Sequence, residues 1–158
     1  PEITFWLLGG LWSLTWPDVL QIAPVVLPSL VIIFLLRWRL NLLSLRDETA
    51  FSLGVSAGRE RLVLLLAAVL ATAATVSKTG LIGWVGLIVP HIARRWIGSD
   101  AQRALPGAML LGAVFTLLCD DIARTALTGE IPLGILTSML GAAVFMGLMM
   151  RDGTGLRR

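Results

Sequence analysis

The chain has 158 residues, 56% of them hydrophobic and 15% charged, with a mean hydropathy of +0.85; soluble domains carry about 25% charged residues, so this chain lacks the polar surface to cover a globule in water, and disorder is excluded too. A single cysteine, Cys119, and a single histidine, His91, exclude a disulfide scaffold and argue against a zinc site or a Cys/His catalytic pair. The pI near 10.4 would suit nucleic acid only if the basic residues formed a wettable patch, but they stand at the ends of apolar runs, which points to an α-helical integral membrane protein with no nucleic-acid partner.

A bilayer-spanning helix needs roughly 20 mostly apolar residues. Val19 to Leu36 qualifies, and Thr15-Trp16-Pro17-Asp18 before it has the form of a capping box with proline in the first turn. The stretch from Arg39 to Arg61 is too charged to cross and too apolar for a free loop. Its apolar residues, Leu42, Leu43, Leu45, Ala50, Phe51 and Leu53, divide it into two short amphipathic pieces. Asp47 and Glu48 suit the start of the second piece through the helix dipole, and Gly54 is placed to close it with a left-handed cap. The segment reads either as an interfacial helix or as a docking element for a cytoplasmic partner; its unpaired apolar residues favour docking.

Leu62 to Val76 is the next span, extended by small and weakly polar residues and followed by a tight turn at Ser77-Lys78-Thr79-Gly80. Leu81 to Ile92 contains Gly83, Gly86 and Pro90 and reads either as a crossing or as a re-entrant segment. Ser99-Asp100-Ala101-Gln102 is a second helix-start signal, with Ser99 as the cap, ahead of the span Leu105 to Cys119. Thr128-Gly129-Glu130-Ile131-Pro132 is a break before the last span, Ile131 to Met150, with Pro132 in its first turn. Small residues at four-residue spacing, such as Ala67 with Ala71 and Ala108 with Gly112, fit closely packed helices in lipid.

Charge placement settles the ambiguous segment. With five crossings, eleven of the thirteen Lys and Arg residues fall on one side and only Lys78 and Arg124 on the other; without a crossing at Leu81 to Ile92 the division becomes six against seven. Cytoplasmic loops are enriched in Lys and Arg, so five crossings with a cytoplasmic C-terminus are expected. Trp6, Trp12, Trp16 and Trp84 then fall at the outer interface, and Trp38 and Trp96 at the inner one. The fold class is an all-α, polytopic transmembrane helix bundle of about five spans, a single transmembrane region over residues 1–158 with a cytoplasmic segment at 40–61.

Leu40 to Val55 and the run GLIGWVGLIVPHIAR from Gly80 to Arg94 resemble the FecCD-type permeases, the membrane subunits of ABC importers for iron-siderophores, haem and cobalamin. Leu105-Pro106, Asp120 to Arg124 and Glu130 to Gly134 follow in that family's order and spacing, so the resemblance covers nearly the whole chain. It implies the C-terminal half of a permease of about ten spans, which agrees with Pro1 standing where a start methionine would. It implies a bacterial or archaeal cytoplasmic (inner) membrane location and four partners: a cytoplasmic ATP-binding subunit, a periplasmic or lipid-anchored substrate-binding protein, a second copy of the permease, and membrane lipid.

The resemblance also implies roles for single residues. Leu42, Asp47, Ala50, Leu53 and Gly54 would couple to the ATPase subunit, with Arg46 departing from the glycine usual there. Arg124 would dock the binding protein. Trp6, Gly134 and Gly141 would lie by the pathway and its outer gate, where a short helix and turn over Glu130 to Gly141 opens the last span; Gly141-Ala142-Ala143 replaces the usual Gly-x-Pro. No catalytic residue, metal ligand or cofactor of its own is expected. The chain has no Gly-x-x-x-x-Gly-Lys-Ser/Thr loop, so ATP would sit on the partner subunit. His91 reads as a local hydrogen-bonding residue, and Asp120 with Arg124 as an i,i+4 ion pair. The alternative function is an ion-coupled secondary transporter or channel, which would call for ionisable residues in mid-span.

Overall fold

The structure, a computed structural model, describes residues 2–54, 56–125 and 131–153. Among these are eight helices and no strand: α1 (Glu2–Leu8), α2 (Trp16–Leu35), α3 (Arg37–Leu43), α4 (Asp47–Ser52), α5 (Ala57–Thr79), α6 (Val85–Ile97), α7 (Ala101–Thr125) and α8 (Leu133–Gly153). Helices α2, α5, α7 and α8 are long and apolar enough to cross a membrane. At about 1.5 Å per residue, α2 alone measures about 30 Å, the thickness of the hydrocarbon core.

Local chemistry sets the boundaries. The Asp18 carboxylate accepts from the Thr15 backbone N–H at 3.1 Å and from the Thr15 hydroxyl at 2.6 Å, so the expected cap opens α2. Pro24 and Pro28 stay inside this helix, and the buried Ser29 hydroxyl donates to the Val25 carbonyl at 2.7 Å. Helix α7 is capped by Asp100 rather than by Ser99: one Asp100 carboxylate oxygen accepts the Gln102 N–H at 3.0 Å. The turn expected at Ser77 to Gly80 is shorter than read, because α5 runs through Thr79 and only Gly80, at φ +69, leaves the helix. Lys78 is not a lone charge there. Its ammonium donates to Asp18 at 2.9 Å and to Gln21 at 2.7 Å, tying α5 to α2.

The fifth crossing has a different form from a single helix over Leu81 to Ile92. Helix α6 starts at Val85 and has 13 residues, about 20 Å at the helical rise, too short to cross alone. Residues Gly80 to Trp84 are non-helical and make up the rest of the path. Gly80 lies against Trp6 of α1, beside the Lys78–Asp18 tie, whereas Asp100 bonds to Asn41 of α3. The stretch therefore connects opposite ends of the bundle, called here the α1 end and the α3 end. The basic residues divide between these ends as the charge count requires, with Lys78 and Arg124 toward the α1 end; Arg157 and Arg158 lie outside the described residues.

Helix α2 packs along α5, and α6 packs along α7, which also meets α8. Helix α3 contacts both α2 and α7 and so bridges the two groups. The α3 end holds an apolar cluster of Leu43 and Leu64 with Ile33, Leu36, Leu40, Leu42 and Ala57. Most other apolar side chains of the spans are exposed. In water that surface would be unfavourable by about 25 cal/mol per Å²; lipid or further protein removes the penalty.

Candidate functional site

At the α3 end, the two amphipathic pieces behave differently. The first, α3, turns its apolar residues inward: Leu43 is buried and Leu42 is half-buried in the same cluster. The second, α4, projects. Phe51 is 79% exposed and Leu53 57% exposed. Gly54 follows at φ +77, with its N–H bonded to the Phe51 carbonyl at 3.0 Å, the left-handed closure expected there. Asp47 and Ala50 lie on α4, but their side chains are outside the described set. Of the five expected coupling residues, Leu42 supports the segment from beneath while Leu53 and Gly54 form its open tip. Phe51, an apolar residue of the segment not carried over as a coupling position, is the most exposed side chain given for this tip.

Polar bonds hold α3 in place. Arg39 pairs with Glu60 of α5, whose second carboxylate oxygen is buried with no hydrogen-bond donor. Arg61 donates to the Leu43 carbonyl at 2.8 Å. Asn41 reaches the start of α7: its amide N–H donates to Asp100 at 2.6 Å and its amide oxygen accepts the Ala101 N–H at 2.9 Å. The bond from Asn41, followed by that from the Gln102 N–H, holds the Asp100 carboxyl below its usual pKa.

At the α1 end, three backbone segments meet at glycines. A Cβ on Gly80 would collide with the Trp6 carbonyl, and one on Gly9, at φ +68, would collide with the Leu81 carbonyl. A Cβ on Gly134 would collide with the Leu8 carbonyl and approach the Leu81 carbonyl to 2.8 Å. The Gly10 N–H donates to the Thr79 carbonyl at 2.8 Å, and the Trp6 indole N–H reaches the Ser77 carbonyl at 3.4 Å. Trp6 and Gly134 therefore share one junction. Gly141 does not: it lies two turns along α8, buried, where a Cβ would come within 2.7 Å of the Trp84 Cβ and 2.6 Å of the Ile88 Cδ1. Trp84, at φ 67, stacks at a tilt on Phe145 with ring centroids 6.2 Å apart. One side of it packs on α8, and the residue is 38% exposed. Helix α8 is continuous from Leu133, without the short helix and turn expected before Gly141; the Gly-Ala-Ala sequence keeps every backbone N–H that a proline would remove. Glu130 lies outside the described residues.

Arg124, 52% exposed at the side chain, donates to Asp120 at 2.8 Å, the expected i,i+4 pair. It stands in the last turn of α7. His91 is exposed on α6. Between the α2–α5 and α6–α7 groups lies a groove of about 420 Å³, lined in part by Thr72, Thr75, Thr79 and Thr116. Thr72, Thr75 and Thr79 spend their hydroxyl protons on carbonyls of their own helix, at 2.8, 2.8 and 3.1 Å.

A family model described as the FecCD transport family matches residues 1–151. The chain belongs to the FecCD transport family.

Individual FecCD-type relatives agree. The chain is 43% identical over 152 residues to the Fe(3+) dicitrate transport system permease protein FecC of Escherichia coli (strain K12), covering 96% of this chain and 46% of that protein. It is 40% identical over 152 residues to the hemin transport system permease protein HmuU of Yersinia pestis, with the same coverage of 96% and 46%. It is 41% identical over 145 residues to the molybdate import system permease protein MolB of Haemophilus influenzae, covering 92% and 43%. A solved inward-facing conformation of a metal-chelate type ABC transporter superposes with a TM-score of 0.89 at 41% identity, over 96% of this chain and 49% of that one. The chain thus spans about half the length of the relatives it matches. Within the FecCD frame, the α4 tip and the glycine junction are the two features at opposite ends of the bundle to which function can be attached. Among the described residues, no group of three or more His, Cys, Asp or Glu side chains could hold a metal ion.

Proposed function

We propose that this chain is the C-terminal half of a permease subunit in an ATP-driven ABC importer for metal chelates of the iron-siderophore, haem or cobalamin class. The observation that carries the reading is the FecCD match over residues 1–151. The permease sits in a bacterial or archaeal cytoplasmic membrane as a homodimer, with the α3 end and the C-terminus in the cytoplasm. The tip of α4, with Phe51, Leu53 and Gly54, docks on the ATP-hydrolysing subunit; Asp47 and Ala50 belong to the same contact. Exposed apolar side chains on a segment too charged to enter lipid support this assignment. At the outer end, Arg124 orients a soluble or lipid-anchored binding protein through a carboxylate on that partner. A rim pair of this kind contributes roughly 0–1 kcal/mol, so its effect is on association rate and salt dependence. The junction of Trp6 and Gly134 flanks the outer mouth, with Gly141 setting the packing below it. ATP binds on the partner subunit, and this chain carries no cofactor.

The test is co-purification of the full-length permease with its ATPase subunit, with and without Leu53→Asp. The wild type retains the subunit; the variant inserts normally and loses it. A wild-type permease that inserts yet never retains an ATPase contradicts the proposal.

A further inference from the structure

We infer that Asn41 is a positioning residue that carries displacement of the cytoplasmic segment into α7, and through α7 to the outer surface. The inference rests on the proposed docking of α4 on an ATPase subunit.

Helix α4 touches both α3 and α5, and of these α3 also packs on α7, which makes α3 a route from α4 to that helix. The ties of α3 to α5 are an ion pair, Arg39 with Glu60, and the bond from Arg61 to the Leu43 carbonyl. The tie to α7 is of another kind. Asn41 uses both ends of one amide, donating to the Asp100 carboxylate at 2.6 Å and accepting the Ala101 N–H at 2.9 Å. Asp100 in turn accepts the Gln102 N–H at 3.0 Å, and its own carbonyl takes the Ala104 N–H at 2.8 Å. The clip therefore grips the first turn of α7 at two points and fixes both direction and distance. Only an amide serves here. A carboxylate at position 41 would face the Asp100 carboxylate, and an apolar residue would leave the Ala101 N–H without this acceptor. Ser44 steadies the clip from below by donating its hydroxyl to the Asn41 carbonyl at 2.6 Å. Helix α7 then runs 25 residues to the opposite end, where Arg124 is its penultimate residue. One helix thus has a cytoplasmic handle at its first turn and the proposed binding-protein contact at its last.

The test uses the full-length permease assembled with its ATPase subunit in lipid, and reads two quantities. One is retention of the ATPase subunit. The other is the change in affinity for unloaded binding protein between the nucleotide-free complex and the complex trapped with Mg-ATP and vanadate. Linked sites typically differ by about 5- to 150-fold between states, so the wild type should show a change of about tenfold. Asn41→Asp should keep the ATPase subunit and reduce that change to less than about twofold. If Asn41→Asp fails to insert, Asn41→Ala breaks the clip without adding a charge and is read in its place. Full coupling in a well-inserted variant with the clip broken overturns the inference. If the wild-type permease itself never holds an ATPase subunit, the failure belongs to the underlying functional reading.

Discussion

Gly134 has no room for a side chain, and that makes it a sharp test of the α1 end. A Cβ there meets the Leu8 and Leu81 carbonyls at once, and neither backbone can yield without moving Gly9 or Gly80. Overpacking a tight site costs about 1–3 kcal/mol, and more where backbone must shift. Gly134→Val in the full-length permease should lower the detergent-solubilised melting temperature sharply, and more than Gly147→Val, since among the described residues nothing lies within 4 Å of a Cβ at Gly147. Asp100 gives a pH test at the other end. Its folded pKa is held below the ordinary 3.8. A depressed carboxylate adds stability that is full above the unfolded value and is lost as pH falls through the folded one. The melting-temperature advantage of wild type over Asp100→Ala should therefore hold at neutral pH and shrink on acidification below that ordinary value. N-cap replacements by Ala typically cost about 0.5–2 kcal/mol. The α2 cap was legible because Thr15 and Asp18 are spaced three apart. The α7 cap was read one residue early because Ser99 and Asp100 can both cap; Asn41, 59 residues away, decides for Asp100. The Lys78–Asp18 pair, 60 residues apart, was invisible for the same reason.

At the scale of elements, the four long spans are plain in the sequence because length and hydropathy alone define them. The path over Gly80 to Ile97 is not, because two physical regimes are joined in it. Glycine favours a non-helical entry; the helix then starts just after Trp84, which stands at φ 67 and packs on Phe145 and Gly141. That packing is tertiary, and no local pattern announces it. The segment over residues 40–61 is legible in the sequence as two pieces, but not which one packs on the bundle: Leu42 and Leu43 look as available in sequence as Leu53. Only the cluster with Leu64 separates them. Charge at the tip of α4 should therefore act on docking, and charge at Leu43 on folding. Leu53→Asp or Phe51→Asp should abolish ATPase-subunit retention with insertion intact, because an unpaired charge buried in an apolar contact costs several kcal/mol. Leu43→Asp should reduce insertion itself. Normal ATPase retention by Phe51→Asp and Leu53→Asp would remove α4 from the interface.

At the scale of the whole molecule, the described residues form two helix groups bridged by α3 at one end and by the glycine junction at the other. Its orientation is open to direct measurement. Cys119 is only 2% exposed, so a Cys119→Ser background is used, with single cysteines at Ser56 and Thr125. An impermeant thiol reagent on intact cells should label position 125 and spare position 56; the reverse pattern would invert the topology. Arg124→Glu should slow binding-protein association and flatten its salt dependence while leaving basal ATP hydrolysis unchanged. Among the described residues, the ionisable side chains of the four long spans stand near the span ends, and Thr72 and Thr75 donate to their own backbone. The decisive measurement is uptake of radiolabelled ferric citrate, haemin and cobalamin into vesicles holding the full-length permease, its ATPase subunit and its binding protein. At least one of these should accumulate only when Mg-ATP is present on the ATPase side. Uptake that follows a proton or sodium gradient and is indifferent to ATP would contradict the account.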